Sequence, residues 1–149
     1  MSQGNGKFVM NEYTMSDLAV GMEESFTRRI TPEMMEKFYE VSGDENPLHR
    51  DEEFAKAKGF MGRVVYGMLT ASLISTLGGV YLPGKHCLIQ GVETKFLKPV
   101  FLGDEITVTG EIADVRPELN YIEIKVTMRN QKGEKVLKGT LKAGVLHDK

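Results

Sequence analysis

The second half of the chain has a hydrophobic period of two residues, and this period constrains the fold more than any other feature. From His86 onward, apolar and polar residues alternate in four runs that cover residues 88–97, 105–112, 121–128 and 137–145. Such alternation predicts strands of a sheet with one covered face. Because the breaks between the runs are short and turn-like, the sequence predicts an antiparallel meander of four successive strands.

Residues 67–79 predict the element that covers this sheet. Their apolar side chains fall all round a helix rather than on one face, so the helix should be buried on most sides. Residues 24–30 predict a short strand, and Thr31-Pro32 predicts the start of a helix that ends at Ser42-Gly43. The expected fold class is α+β, with a curved antiparallel sheet wrapped around one central helix.

Length and composition predict one globular domain in a reducing compartment. The chain has 149 residues, of which 41% are hydrophobic and 27% charged, and we expect a polar, flexible arm over residues 1–15 and a single domain over 16–149. The net charge of -2 argues against a nucleic-acid partner. Cys87 has no partner for an internal disulfide, which favours the cytoplasm. We expect no membrane association, because the most apolar window, residues 64–82, contains several polar residues and glycines.

Residues 42–49 contain an acid and a base close together. Asp44 and His49 lie five positions apart, on a segment that the Asn46-Pro47 step is predicted to keep out of a helix. A bent loop would bring the carboxylate and the imidazole to one point, as proton transfer requires. The alternative is that Asp44 only caps a turn and that His49 lies in solvent.

The start of the central helix provides a candidate site for a developing negative charge. Gly67 lies where free backbone N–H groups and the positive end of the helix dipole converge, so it could bind a carbonyl oxygen. Ser75 lies eight positions further on nearly the same face and could reach a buried carboxylate. The alternatives are that Gly67 serves only close packing on the sheet and that Ser75 bonds its own helical turn.

Four segments together resemble a known family. Gly43-Asp44-x-Asn46-Pro47-Leu48-His49, then Gly67-Met68-Leu69-Thr70-Ala71-Ser72-Leu73, then Phe96-Leu97-Lys98-Pro99-Val100 and Gly103-Asp104 are similar to motifs of the MaoC-like dehydratases. The resemblance runs from about residue 21 to residue 145 and is closest to the (R)-specific enoyl-CoA hydratases. It implies the hot-dog fold, in which a sheet wraps around one long helix, and this agrees with the fold predicted from the periodicity.

The resemblance also implies a reaction, which is the reversible syn addition of water to a trans-2-enoyl thioester, giving an (R)-3-hydroxyacyl-CoA. Asp44 and His49 match the residues that hold and deprotonate the water and return a proton to C2. The Gly67 N–H matches the donor to the thioester carbonyl, and Ser75 matches a serine that is hydrogen-bonded within the cluster. No metal and no redox cofactor are implied, and coenzyme A is part of the substrate.

Further residues are expected to contact the substrate or shape its pocket. These are Asn46, Tyr66, Met68, Arg63 and Lys98. Asn46 matches a loop-shaping position, and Arg63 and Lys98 could contact the phosphates of coenzyme A or form part of a solvated face. Tyr66 departs from the family, which commonly has histidine there, and this change could reshape the pocket wall. Because long central strands leave an open sheet edge, a homodimer is expected, with further assembly left open.

Three other functions remain as alternatives to an enoyl-CoA hydratase. The first is a hydratase or dehydratase for another thioester, such as a branched, dicarboxylic or carrier-protein-bound acyl group. The second is a thioesterase on the same fold, which generally lacks the arrangement of Asp44, Asn46 and His49. The third is a non-catalytic module that binds acyl-CoA, although the presence of both acid–base residues counts against it.

Overall fold

The computed structural model describes residues 9–147 and shows, within them, a five-stranded antiparallel sheet and a central helix. The strands are β1 (Glu23–Arg29), β2 (Cys87–Phe96), β3 (Glu105–Arg116), β4 (Tyr121–Arg129) and β5 (Lys135–Val145). The helices are α1 (Pro32–Ser42), α2 (Pro47–Arg50), α3 (Glu52–Ala57) and α4 (Gly67–Thr76). The predicted fold class is therefore confirmed.

The order of the strands differs from the predicted four-strand meander. The sheet runs β1-β3-β4-β5-β2, so β3, β4 and β5 form the meander while β2 pairs with β5 at the far edge. The prediction that β2 pairs with the next strand in the sequence, β3, was wrong. Alternation indicates which face of a strand is buried, but it does not indicate which strand lies beside it. The strand predicted at residues 24–30 is confirmed as β1, on the other edge beside β3.

The covered face of the sheet packs directly on the end of the central helix. The alternating apolar residues of β3 and β4 are buried with Leu77 in one core. Two glycines allow this close approach. A Cβ atom on Gly110 of β3 would lie 2.8 Å from Leu77 Cδ2, and one on Gly78 would lie 3.0 Å from Leu141 Cδ2 of β5.

The central helix is less completely covered than the sequence predicted. Helix α4 continues as a π-helical turn over residues 77–81, and its buried side carries Thr70 and Ile74. A narrow stripe on the opposite side, formed by Met68, Ser72 and Ser75, is exposed. The apolar composition predicted burial in general but could not show that one stripe faces away from the sheet of the same chain.

The connection between α1 and α4 is built from short capped helices. Thr31 Oγ1 accepts a hydrogen bond from Met34 N–H at the start of α1, as predicted, and Gly43 ends α1 with a φ of 70°. The prediction that the following segment contains no helix was wrong, because Pro47–Arg50 forms the single turn α2. Asn46 is indeed extended, with a ψ of 125°, but proline fits the first position of a helix, so the turn begins immediately after it.

The N-terminal segment contacts the end of the helical layer. Asn11 N–H donates to Val80 O at 3.0 Å, and Tyr13 N–H donates to Pro83 O at 3.1 Å. The first eight residues of the predicted arm lie outside the described residues. Among residues 9–147, no helix has the length and apolar character needed to cross a membrane.

Candidate active site

Asp44 lies on an exposed turn between α1 and α2, where short hydrogen bonds fix its backbone. Its Oδ1 accepts from Asn46 N–H at 3.0 Å, and its own N–H donates to Ser42 Oγ at 3.2 Å. Its carbonyl oxygen accepts a 2.6 Å hydrogen bond from the Tyr66 hydroxyl. Among the described residues, the second carboxylate oxygen, Oδ2, has no protein partner. The carboxylate is therefore held in place and keeps one oxygen available.

His49 lies on α2, and its ring has a defined orientation. Its Nδ1 is 2.8 Å from Val64 O, and because a carbonyl oxygen only accepts, Nδ1 carries the proton. In the neutral ring, Nε2 is then the unprotonated nitrogen and can accept a proton. Arg63 Nε donates to His49 O at 2.7 Å, and Val64 N–H donates to Leu48 O at 3.1 Å, so the segment before α4 holds both the ring and the backbone of α2.

Tyr66 connects these two residues. Its side chain is only 1% exposed, and its ring lies between Phe38 and His49, with centroid separations of 4.8 Å and 4.4 Å. Its hydroxyl reaches the Asp44 carbonyl, as described above. The acid and the base therefore share one buried neighbour, which is also the residue immediately before Gly67.

Gly67 is the first residue of α4, where backbone N–H groups have no partner within the helix. A Cβ atom at this position would lie 3.1 Å from Phe96 Cε1, so the glycine also allows close packing against β2. Gly67 and His49 border one cavity of about 270 Å³, whose walls are mainly apolar. The remaining lining residues are Phe60, Val64, Val65, Thr70, Phe96, Leu97, Lys98, Pro99, Val100 and Val136. An oxygen in this cavity could approach both the helix N-terminus and the imidazole.

The other predicted site residues take different places. Asn46 Oδ1 accepts from Leu48 N–H at 2.9 Å and caps α2. Lys98 borders the cavity, but its Nζ also forms an ion pair of 2.7 Å with Glu134. Met68 and Ser75 lie on the exposed stripe of α4, and Ser75 has no hydrogen bond to Asp44 among the described residues. The Arg63 guanidinium is bound to the backbone of α2, because its Nε donates to the His49 carbonyl.

Two residues near the loop, Tyr39 and Arg50, were not predicted from the sequence to take part in the site. Tyr39 donates from its hydroxyl to Glu45 Oε1 at 2.9 Å, and this carboxylate raises the pKa of Tyr39. The guanidinium carbon of Arg50 lies 3.8 Å from the centre of the Tyr39 ring. The nearby Tyr66 hydroxyl, and after it Glu36, raises the pKa of Arg50. These contacts connect α1 with the loop and with α2, and no short motif indicates them.

Thr70 is a third residue that the sequence did not single out. It borders the cavity, is 2% exposed, and its Oγ1 is buried without a hydrogen-bond partner among the described residues. A hydroxyl removed from water without a partner costs free energy. Thr70 is therefore an unusual position in a cavity wall that is otherwise mainly apolar.

A larger concave region, of about 430 Å³, lies elsewhere on the sheet. Its charged lining residues are Glu93, Lys95, Glu123, Lys125 and Lys138. It contains neither the acid–base pair nor the helix N-terminus. We therefore place the candidate active site by its chemical groups and not by the size of the cavity.

The fold and the family match together define the class of protein. An antiparallel sheet wrapped around a central helix is the hot-dog fold, and the segment that carries Asp44 and His49 is held by the residues that lead into α4. The sequence matches the MaoC like domain over residues 17–135, and the chain belongs to this family. The family comprises hydratases and dehydratases, which are carbon–oxygen lyases, so the chain is an enzyme of this kind.

Similarities to individual proteins agree with this assignment. The chain is 37% identical over 111 residues to a 3-hydroxybutyryl-CoA dehydratase of Methylorubrum extorquens, covering 74% of this chain and 71% of that protein. It is 35% identical over 122 residues to an (R)-specific enoyl-CoA hydratase of Aeromonas caviae, covering 82% of this chain and 91% of that protein. The unliganded (R)-hydratase of Pseudomonas aeruginosa superposes with a TM-score of 0.87 at 31% identity, covering 94% of this chain and 89% of that one.

Proposed function

We propose that the protein is an (R)-specific enoyl-CoA hydratase, which adds water reversibly to trans-2-enoyl-CoA to give (R)-3-hydroxyacyl-CoA. The observation that carries this proposal is the arrangement of Asp44 and His49 around Tyr66, next to the N-terminus of α4. Two of the relatives described above are named as (R)-hydratases, which supports the same substrate class.

The proposed reaction has two roles for the residues of this chain, which are proton transfer and stabilisation of the developing negative charge. Asp44 Oδ2 and His49 Nε2, neither of which has a partner among the described residues, hold a water molecule and take one of its protons. The water oxygen bonds to C3 while the C2–C3 π electrons move toward the thioester carbonyl oxygen. The N–H of Gly67 stabilises the negative charge that develops there, and the acid–base pair then returns a proton to C2. Coenzyme A enters as part of the substrate, and no step is assigned to a metal or a redox group.

We also propose that two copies pair through β2. Within residues 9–147, no strand pairs with the outer edge of β2, and this strand carries several exposed apolar side chains beside the charged Glu93 and Lys95. The exposed apolar residues of β2 are Leu88, Ile89, Val92 and Phe96. Met68 on α4 is also 65% exposed, and it follows Gly67, which packs against Phe96 of β2. A second copy would cover both the open strand edge and the apolar patch.

The dimer has a matched test in light scattering after size-exclusion chromatography. Val92→Lys places a charge in the β2 surface and should produce the monomer. Leu119→Lys places the same charge at another exposed apolar position, on the turn before β4, and should leave the dimer intact. A monomeric wild-type protein, or an unchanged dimer in Val92→Lys, would contradict the β2 interface.

The reaction is tested by the loss of enoyl-thioester absorbance when the protein is mixed with crotonyl-CoA. We expect rapid hydration without release of free coenzyme A, and free thiol would instead indicate a thioesterase. A series of longer, branched, dicarboxylic and carrier-protein-bound enoyl thioesters then defines the substrate class. Tight binding of acyl-CoA with no turnover in any of them would contradict the proposal and favour a binding module.

A further inference from the structure

We propose that Tyr66 is a positioning residue, whose hydroxyl holds the backbone of Asp44 in the catalytic arrangement. This inference rests on the proposed function. It also changes the role of Tyr66 from the pocket wall expected from the sequence. Tyr66 is absent from the residues that border the cavity with His49 and Gly67, and its side chain is almost completely buried.

Tyr66 contacts Asp44, His49 and the N-terminus of α4, which are the groups assigned to the reaction. Its 2.6 Å hydrogen bond to Asp44 O is among the shortest that anchor the loop. Its ring lies against the ring of His49, and its own backbone caps α4 immediately before Gly67. A shift of Tyr66 would therefore move the acid relative to both the base and the helix N-terminus.

The loop that carries Asp44 has little other support. Residues 43–47 are all exposed, and the side-chain hydrogen bonds of Asp44 and Asn46 lie within the loop itself. Among the described residues, two other side chains outside the loop form hydrogen bonds to it. Tyr39 binds the Glu45 carboxylate, and Ser42 Oγ, at the exposed end of α1, accepts from Asp44 N–H at 3.2 Å. Among the described residues, Tyr66 thus provides the one side-chain hydrogen bond from the buried core to the backbone of Asp44.

Tyr66→Phe removes the hydroxyl and keeps the ring that packs between Phe38 and His49. Because the Asp44 carbonyl lies in an exposed turn, water can replace the lost partner, and the fold should be retained. A displacement of about 1 Å in a catalytic group can cost on the order of 100-fold in rate. We expect kcat for crotonyl-CoA hydration to fall about 10- to 100-fold, with KM changed less than about threefold.

Tyr39→Phe is the matched control, because it removes a phenolic hydroxyl that binds the neighbouring Glu45 side chain. It should keep kcat within about threefold of wild type, which is the range of surface changes. A Tyr66→Phe variant with wild-type kcat would overturn the proposal. So would a variant in which only KM rises, since that result indicates a wall of the substrate pocket.

Hydrogen–deuterium exchange separates this proposal from the proposed function. In Tyr66→Phe, amide exchange in residues 43–49 should accelerate several-fold, while exchange in the strands of the same variant stays at the wild-type rate. In Tyr39→Phe, exchange in residues 43–49 should also stay at the wild-type rate. This result would support the positioning role even if the wild-type protein did not hydrate enoyl-CoA. Unchanged exchange in residues 43–49 of Tyr66→Phe would overturn it, whatever the activity.

Discussion

Replacing Asp44 by asparagine isolates the chemical role of its carboxylate. The asparagine side-chain oxygen can still accept from Asn46 N–H, and the Asp44 carbonyl still accepts from Tyr66. Because the position is exposed and both bonds remain, we expect the free energy of unfolding to change by less than about 0.5 kcal/mol. Loss of a general acid–base group typically costs about 10²- to 10⁴-fold in rate, which corresponds to about 3–5 kcal/mol in the activation barrier.

Glu45→Gln is the matched control for this experiment. Glu45 is the adjacent residue on the same loop, and its replacement removes the same charge while leaving an oxygen that can accept from Tyr39. The assay is the initial rate of crotonyl-CoA hydration, with urea unfolding measured for both variants. We expect the large loss only in Asp44→Asn. Activity of Asp44→Asn within threefold of wild type, or an equal loss in Glu45→Gln, would refute the assigned role.

Two further substitutions and one chemical modification have defined outcomes. His49→Ala should lower kcat by about 10²- to 10⁴-fold, and because the ring loses both its hydrogen bond to Val64 O and its packing against Tyr66, urea unfolding should show a loss of about 1–3 kcal/mol. Thr70→Val should raise the free energy of unfolding in urea by about 1 kcal/mol, because it removes an unpaired buried hydroxyl; a lower value would contradict this. Burial raises the pKa of Cys87 to about 11, so iodoacetamide at pH 8 should alkylate the folded protein about 100-fold more slowly than the unfolded chain. Equal alkylation rates would contradict the burial of this thiol.

The sequence predicted the positions of the helices and strands better than it predicted which strands pair with each other. The two-residue period identified β2 to β5, and the capping residues identified both ends of α1, because each signal lies within the element itself. The pairing of β2 with β5 depends on the path of the chain between β2 and β3, and the period contains no information on that path. Helix α2 was missed because a proline that excludes the interior of a helix is compatible with its first turn.

In the candidate site, too, the sequence indicated residues that stand in short motifs but not roles that depend on contacts between distant residues. Asp44, His49 and Gly67 could be selected from short motifs, since the chemistry of each depends on nearby residues. The role of Tyr66 could not be predicted, because its hydroxyl bonds a residue 22 positions away. The exposed position of Ser75 was also unexpected, because a sequence does not show which stripe of an apolar helix the sheet leaves uncovered.

The stereochemistry of hydration in heavy water tests the central claim most directly. Crotonyl-CoA and the wild-type protein in D₂O should give a product with the (R) configuration at C3 and a single deuterium at C2, added to the same face as the hydroxyl group. We expect this outcome because one acid–base pair, for which we propose Asp44 and His49, would add the hydroxyl group and the proton from one face of the substrate. An (S) product, deuterium added to the opposite face, or no hydration would contradict the proposed reaction.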